Sequence, residues 1–507
     1  MTKLPHRMLW AAAALSATLL AGPAHAAGNL RIGIAEDPDI LDPARSGSYV
    51  GRIIFAALCD KLVDIDAKLN FVPQLATKWE WSADNMALTV TLRPGVKFHD
   101  GEAVDAEAVK INLARYQTAP ESVRKGEVKP IAAVEVIDPL TVRIRLSQPY
   151  APLVAVLADR AGMLISPKAL ARLGADVANN PACAGPFKFT ERVAQDHITL
   201  DRFPGYWDAG KVSLDRITYR PYADSTVRLV NLQSGQLDMI ERMAPSDAAR
   251  VKADPKLRLL TSPAIAYQGL YINLAHGPAA DNPLGKDARV REAFEKSLDR
   301  TIINQVVGEG MYVPSNQTES PGSPYWNPAH PVPPRDVAGA KALLKAAGYD
   351  KVSFTLTIYN APIAQQTAEL IQSMAAEAGF DIKLKMMEAN AATQSAVDGE
   401  HQMVTGIWSG RADPDGNISI WLAKEGFLNW GRYDSPELNT LLVQARGITD
   451  VAARKALYAK VSDIYLRDRP MIVMYHQTWL FGTSDRVTGF APVPDGLVRP
   501  QGMQIRN

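Results

Sequence analysis

The sequence predicts an α/β protein built from two or more lobes. Three observations carry that reading. The chain has 507 residues, too many for one small core. Its composition, 47% hydrophobic and 21% charged, is that of an ordinary globular protein. Between residues 352 and 387 a strand, a helix and a second strand follow at βαβ spacing, which implies a parallel sheet.

The first segment stands apart from the fold. "MTKLPHRMLWAAAALSATLLAGPAHAAG" places Lys3, His6 and Arg7 before an apolar run over residues 8–21. Ala24, His25 and Ala26 then form a small-x-small cleavage site. This reads as a secretory signal peptide cut after Ala26, leaving the mature chain free in an exported compartment. The run is short for a bilayer span, and no cysteine at the cleavage site offers a lipid anchor. Without Lys3 and Arg7, the 55 basic residues drop by two against 54 acidic ones, a net charge near −1. There is no basic excess to neutralise phosphates, so nucleic acid is not an expected partner.

The elements follow in order. "LRIGIAE" alternates as a strand. "LTVTLRPGVKFHDG" (88–101) reads as a strand, a Pro-Gly turn and a second short strand. Residues 105–116 form a helix capped by Asp105, and residues 134–136 and 141–146 a hairpin across Asp138-Pro139. Residues 287–300 put Val290, Ala293, Phe294 and Leu298 on one helical face. A helix over 336–346 ends before Gly348. "VSFTLTI" (352–358), a helix over 363–378 and "DIKLKMM" (381–387) make the βαβ unit. Two more helices follow, near 436–446 and 451–467. The Pro-rich stretch 318–334 reads as a surface loop anchored by Tyr325 and Trp326.

Chemistry-bearing motifs are few. The histidines are scattered, with no His-x-x-x-His and no Cys-x-x-Cys, so no zinc site is expected. "DPDGN" sets Asp413, Asp415 and Asn417 at the first positions of a calcium loop, but Ile418 and Lys424 stand where a glycine and an acid are required. No Gly-x-Ser-x-Gly elbow, dinucleotide fingerprint or P-loop occurs, so neither an enzyme nor a cofactor is indicated. Cys59 and Cys183 are the only cysteines. In an oxidising compartment they form either a disulfide or two buried thiols. A bridge closing so long a loop contributes roughly 4–5 kcal/mol in the chain-entropy model. An exported, nearly neutral, two-lobed chain without catalytic motifs fits a carrier that holds its ligand between lobes.

Several segments in one order carry a family resemblance. "FVPQLATKWEWSADNMALTVTLRPGVKFHDGEAVDAEAV" (71–109) resembles the signature of the family 5 extracellular solute-binding proteins, which serve peptide, nickel and related ABC importers. It continues through "AGPFKF" (184–189), residues 203–240, "YQGLYINLA" (267–275), residues 287–310, "AKALLKAAGY" and "RDRPMIVMYH" (467–476). The resemblance implies a two-lobed type II periplasmic-binding-protein fold with an extra subdomain inserted in lobe I. Lobe Ia would hold residues 27–60, 190–270 and 480–507, subdomain Ib residues 61–189, and lobe II residues 271–479. The hinge crossovers would fall near Tyr271 and Trp479.

The same resemblance implies where a ligand lies. "GIWSGRADPDGN" (406–417) matches a cleft-lining loop, bringing Trp408, Ser409, Gly410, Arg411 and Asp413 to the ligand. Tyr267, Gln268 and Gly269 match a stretch whose backbone pairs with an extended peptide. Tyr49 lies in another cleft-side region. In peptide binders of the family an aspartate three residues after the tryptophan meets the ligand's ammonium. In this chain that position is Arg411. An arginine suits an anionic or blocked end instead. The alternatives are an ion pair of Arg411 with Asp413 or Asp415, or a shifted register in which Asp413 takes the ammonium. The expected partners are a peptide or peptide-like solute and the membrane permease subunits, with the chain itself a monomer. Other small solutes (a nickel chelate, an opine, glutathione, a sugar derivative) stand as alternatives, and a secreted hydrolase as the reading from another class.

Overall fold

A computed structural model describes residues 28–506. The signal-peptide segment and its cleavage site lie outside the described residues. The chain is mixed α/β, organised on one long sheet. Ten of its eleven strands are β1 (Asn29–Ile34), β2 (Phe187–Val193), β3 (His197–Arg202), β4 (Arg216–Pro221), β5 (Met239–Ile240), β6 (Leu257–Ile272), β7 (Val352–Tyr359), β8 (Phe380–Met387), β9 (Met403–Trp408) and β10 (Met471–Ser484); the other, Val313–Pro314, pairs with β10 off the main path. The ten lie in the order β8-β7-β9-β6-β10-β5-β1-β4-β3-β2.

Two long antiparallel strands, β6 and β10, run through the middle and belong to both halves. From Leu257 to Pro263 their register is regular, ending opposite Thr478. It resumes at Tyr267 opposite His476. Residues 264–266 therefore bulge against the single residue Gln477, and a bulge weakens pairing and bends a strand. The hydrophobic clusters change at the same place. Ala264, Ala266, Trp479 and Phe481 pack with β1 and the helix α1 (Tyr49–Leu58). Tyr267, Leu270, Tyr271 and residues 471–475 pack into the other half. The break thus lies a few residues before Tyr271 and just before Trp479.

The first half carries a separate layer. A four-stranded antiparallel sheet runs in the order Ala76–Trp81, Ala87–Leu92, Thr141–Leu146, Ile131–Asp138, covered by the helix Ala106–Thr118. Its core extends from Ala44 to Ala184. Cys59 and Cys183 are disulfide-bonded, so the bridge ties the departure of this excursion to its return. The C-terminal segment is clamped back onto it, because Arg499 donates to both Asp64 (2.8 and 3.0 Å) and Asp495 (2.8 and 3.0 Å).

Local expectations hold where one residue controls the geometry. Asp105 caps the helix that follows it, as expected, and the structure adds Asp336 and Asp450 as caps of two later helices. β7 and β8 pair in parallel across the helix Pro362–Ala376. Three readings need correction. The helix expected over 287–300 is two, Ala288–Lys296 and Arg300–Val307, because Asp299 accepts from the Thr301 and Ile302 amides and starts a new helix. The short strand after Pro94-Gly95 is only an isolated bridge between Lys97 and Ala103. The Pro-rich stretch is not all on the surface: Thr318, Glu319, Ser323 and Tyr325 are buried.

Candidate ligand-binding site

β9 ends at Trp408 and delivers the loop that follows to the junction of the two halves. Gly410 turns the chain with φ +77°, and a Cβ there would collide with the carbonyl of Ile265 in the bulge. Only glycine meets both demands. The loop is then pinned by Asn417. Its Oδ1 accepts from Trp408 Nε1 (3.1 Å) and from the Arg411 amide (2.7 Å). Its Nδ2 donates to the Arg411 carbonyl and to Glu319 Oε1, each at 2.9 Å. Tyr267 is fully buried, and its hydroxyl donates to the Asn417 carbonyl at 2.9 Å.

The two aspartates of the loop face inward. Asp413 takes a bidentate pair from Arg454 (2.6 and 2.9 Å), and Asp415 one from Arg446 (2.7 and 3.2 Å). Asp413 Oδ1 also accepts from the Asp415 amide (2.9 Å). Asp413 thus accepts three hydrogen bonds within one half, is 5% exposed, and has its charge matched by Arg454. Arg411 pairs with neither aspartate.

Arg411 instead reaches across. Its Nε lies 3.1 Å from Asp159 Oδ2, in the first half. Its guanidinium also covers the Trp408 ring at 4.6 Å and donates to the Gly410 carbonyl at 2.7 Å. The indole face expected for a ligand is therefore occupied by this arginine. Ser409 lies beside it, its hydroxyl accepting from Arg411 at 3.3 Å.

Asp159 is shared. Arg52 donates to its Oδ1 at 3.1 Å, and Arg160 Nε lies 3.7 Å away. All three groups are buried, with Arg52 5%, Asp159 6% and Arg160 3% exposed. Burial opposes ionisation of Asp159, but Arg52, then Arg411 and Arg160, hold it well below the usual carboxylate range. Burial pulls Arg160 down to about 9, helped by Arg124, and Arg411 down to about 10, against the pull of Asp159. Both stay cationic at neutral pH.

Tyr49 joins the same assembly from α1. Its ring stacks on Trp479 with centroids 5.1 Å apart, and its hydroxyl donates to the Asp495 carbonyl at 3.1 Å. The guanidiniums of Arg242 and Arg52 lie 5.1 and 6.0 Å from its centroid. The structure so brings together Trp408, Ser409, Gly410 and Arg411 with Tyr49, through Arg52 and Asp159. It does not bring Gln268 and Gly269 to a free edge. β6 is an interior strand, paired continuously with β9 over Tyr267, Gln268 and Gly269 and, with a register shift after Gln268, with β10, so an added peptide strand finds no open edge there. Gly269 and Gly406 serve packing, since each lies against the ring of Tyr271.

Sequence reasoning missed Arg52, Asp159 and Arg160. The signal was a lone charge inside the apolar run "YVGRIIFAAL" and an Asp-Arg pair closing "LVAVLA". Charged residues in such settings are buried only when paired or functional. Elsewhere the halves meet where the Ala151 amide donates to the Arg446 carbonyl (2.7 Å) and Asn85 Nδ2 to the Gly447 carbonyl (3.2 Å). Among the described residues, no group of three or more His, Cys, Asp or Glu could hold a metal ion, and no helix is long and apolar enough to cross a membrane.

Two lobes on a shared pair of strands, with charged and aromatic groups gathered where they meet, define a type II periplasmic-binding-protein fold. Residues 70–429 match the family described as bacterial extracellular solute-binding proteins, family 5 Middle, and the chain belongs to that family. The chain is 30% identical over 501 residues, 96% of each protein, to the glutathione-binding protein GsiB of Pectobacterium atrosepticum. Among solved structures it is similar to the periplasmic binding protein AgaA of A. tumefaciens R10 in complex with agropinic acid (TM-score 0.83, 27% identity, covering 95% of this chain and 99% of that one). It also shares its fold with the periplasmic binding protein DppA of Helicobacter pylori in complex with the peptide STSA (TM-score 0.83, 24% identity, 95% and 98% covered). Family membership makes the chain a solute-binding protein of an ABC importer and points to binding rather than catalysis.

Proposed function

We propose that this chain captures a peptide or peptide-like solute between its lobes in the periplasm and delivers it, as a monomer, to its permease. The observation that supports this most is the meeting of the residue 408–411 loop with Tyr49, Arg52 and Asp159 over a two-strand connection interrupted at residues 264–266. Bending at the bulge and at Gln477 opens and shuts that contact. In this reading the lobes divide at the bulge, a few residues before the expected 270/271 boundary, so that Tyr267 and Leu270 belong with lobe II, and the stapled excursion is subdomain Ib. The solute favours closure only through its differential affinity for the closed state. No reaction is required.

Native mass spectrometry of the mature protein from its own periplasm tests this. The expected result is a noncovalent peptide-like mass, released unchanged on denaturation, from a monomer whose N-terminus is Ala27. Conversion of the solute during incubation overturns the reading in favour of a hydrolase. A nickel chelate or a sugar derivative in its place overturns the peptide assignment. Glutathione is the first solute to add, because the relatives that are 30% identical are named for it.

A further inference from the structure

The charges at the lobe junction do not balance. Arg124 is paired with Glu127 (2.6 Å), Arg242 with Glu241 (2.6 Å), and Asp495 is spent on Arg499. What remains is three guanidiniums, Arg52, Arg160 and Arg411, around the single carboxylate of Asp159. Two positive charges stay uncompensated in a buried place, an arrangement that is costly unless an anion completes it. Two donors are already waiting: Arg52 Nη1 and Arg160 Nε are buried without a hydrogen-bond partner. The contact between the lobes is also poorly made. Arg411 lies within ion-pair distance of Asp159 Oδ2, yet that oxygen accepts no hydrogen bond. Arg52, by contrast, is aligned on Oδ1.

We propose that the end of the solute lying at the residue 408–411 loop is anionic, a carboxylate held between Arg411 of one lobe and Arg52 and Arg160 of the other. Asp159 is its resident stand-in, bound firmly to Arg52 and displaced from Arg411 by the incoming anion. This assignment rests on the reading of the junction as the solute site. It makes the preference of the cleft the reverse of an ammonium site. A free amine would meet a carboxylate already shared by three cations, so it gains little attraction and much repulsion.

A competition among four tripeptide probes on the full mature protein tests it, read by native mass spectrometry. The probes are acetyl-Ala-Ala-Ala, Ala-Ala-Ala amide, acetyl-Ala-Ala-Ala amide and glutathione. The expected result is at least tenfold preference for the acetylated acid and glutathione over both amides. Arg411→Gln should erase the preference, Arg411→Lys should keep part of it, and Asp159→Asn should tighten both anionic probes. A urea midpoint for Arg411→Gln near that of the unaltered chain separates lost recognition from lost folding. Retention of the free-amine amide above the acids overturns the anion site while leaving solute capture standing. So does an acid preference unchanged in Arg411→Gln. Retention of none of the four, with a native solute that is not peptide-like, overturns both readings.

Discussion

Replacing Asp413 separates a structural role from a ligand role. Its pair with Arg454 is bidentate, and the two side chains are only 6% and 5% exposed. Removing one partner of such a pair leaves a buried charge uncompensated, at a cost of about 3–5 kcal/mol. Arg454 keeps two other acceptors after Asp413→Ala, the Ala445 carbonyl at 3.1 Å and the Tyr325 hydroxyl at 3.2 Å. The rings of Tyr325 and Tyr458 also lie 5.5 Å from its guanidinium. These contacts soften the loss, so the lower end, about 3 kcal/mol, is expected. Arg454→Met in the same background removes the stranded charge. The double variant should then cost less than the sum of the singles by about 1.5 kcal/mol or more. The assay is urea denaturation followed by tryptophan fluorescence, with solute affinity measured on the folded fraction. A loss below about 1 kcal/mol, additive with Arg454→Met and accompanied by abolished binding, would show that Asp413 meets the solute and refute its inward, Arg454-paired role.

Three further outcomes follow from the same contacts. Gly410→Ala should destabilise by about 1–3 kcal/mol, since the new side chain requires a left-handed conformation and a shift of Ile265; an unchanged urea midpoint would contradict it. Burial, opposed by Asn417 and Ser323, pushes the Glu319 carboxyl up to about 7, so the folded chain holds a proton that the unfolded chain has released above the ordinary carboxylate range. Stability from this group is therefore lost as pH rises from about 4.5 to about 7, and Glu319→Gln should gain on the unaltered protein by up to about 3 kcal/mol between pH 5 and 8; a flat difference would refute the shift. Reduction, or Cys59→Ser with Cys183→Ser, should cost about 4–5 kcal/mol, because the bridge spans a sequence separation of 124 residues; a loss under 1 kcal/mol in the same urea assay would contradict the chain-entropy account.

What the sequence made legible is whatever one short stretch decides. Asp105 caps its helix because a cap needs only its own next few amides, and β7 and β8 alternate because each is set by its two faces. The single helix expected over 287–300 fails through the same locality. Its apolar face is continuous, with Val290, Ala293, Phe294 and Leu298 all buried, and only the side chain of Asp299 breaks the backbone behind it. The site was legible in part, because Trp408, Gly410 and Arg411 share one loop. Its other half was not, because Arg52 and Asp159 stand 107 residues apart and neither has meaning alone. The aspartates of the loop were the reverse trap. Asp413 and Asp415 sit beside the junction in sequence, yet Arg454 and Arg446 on later helices draw both inward. Long-range charge pairing therefore decides which acidic and basic groups remain for a ligand. At this junction what it leaves over is arginine.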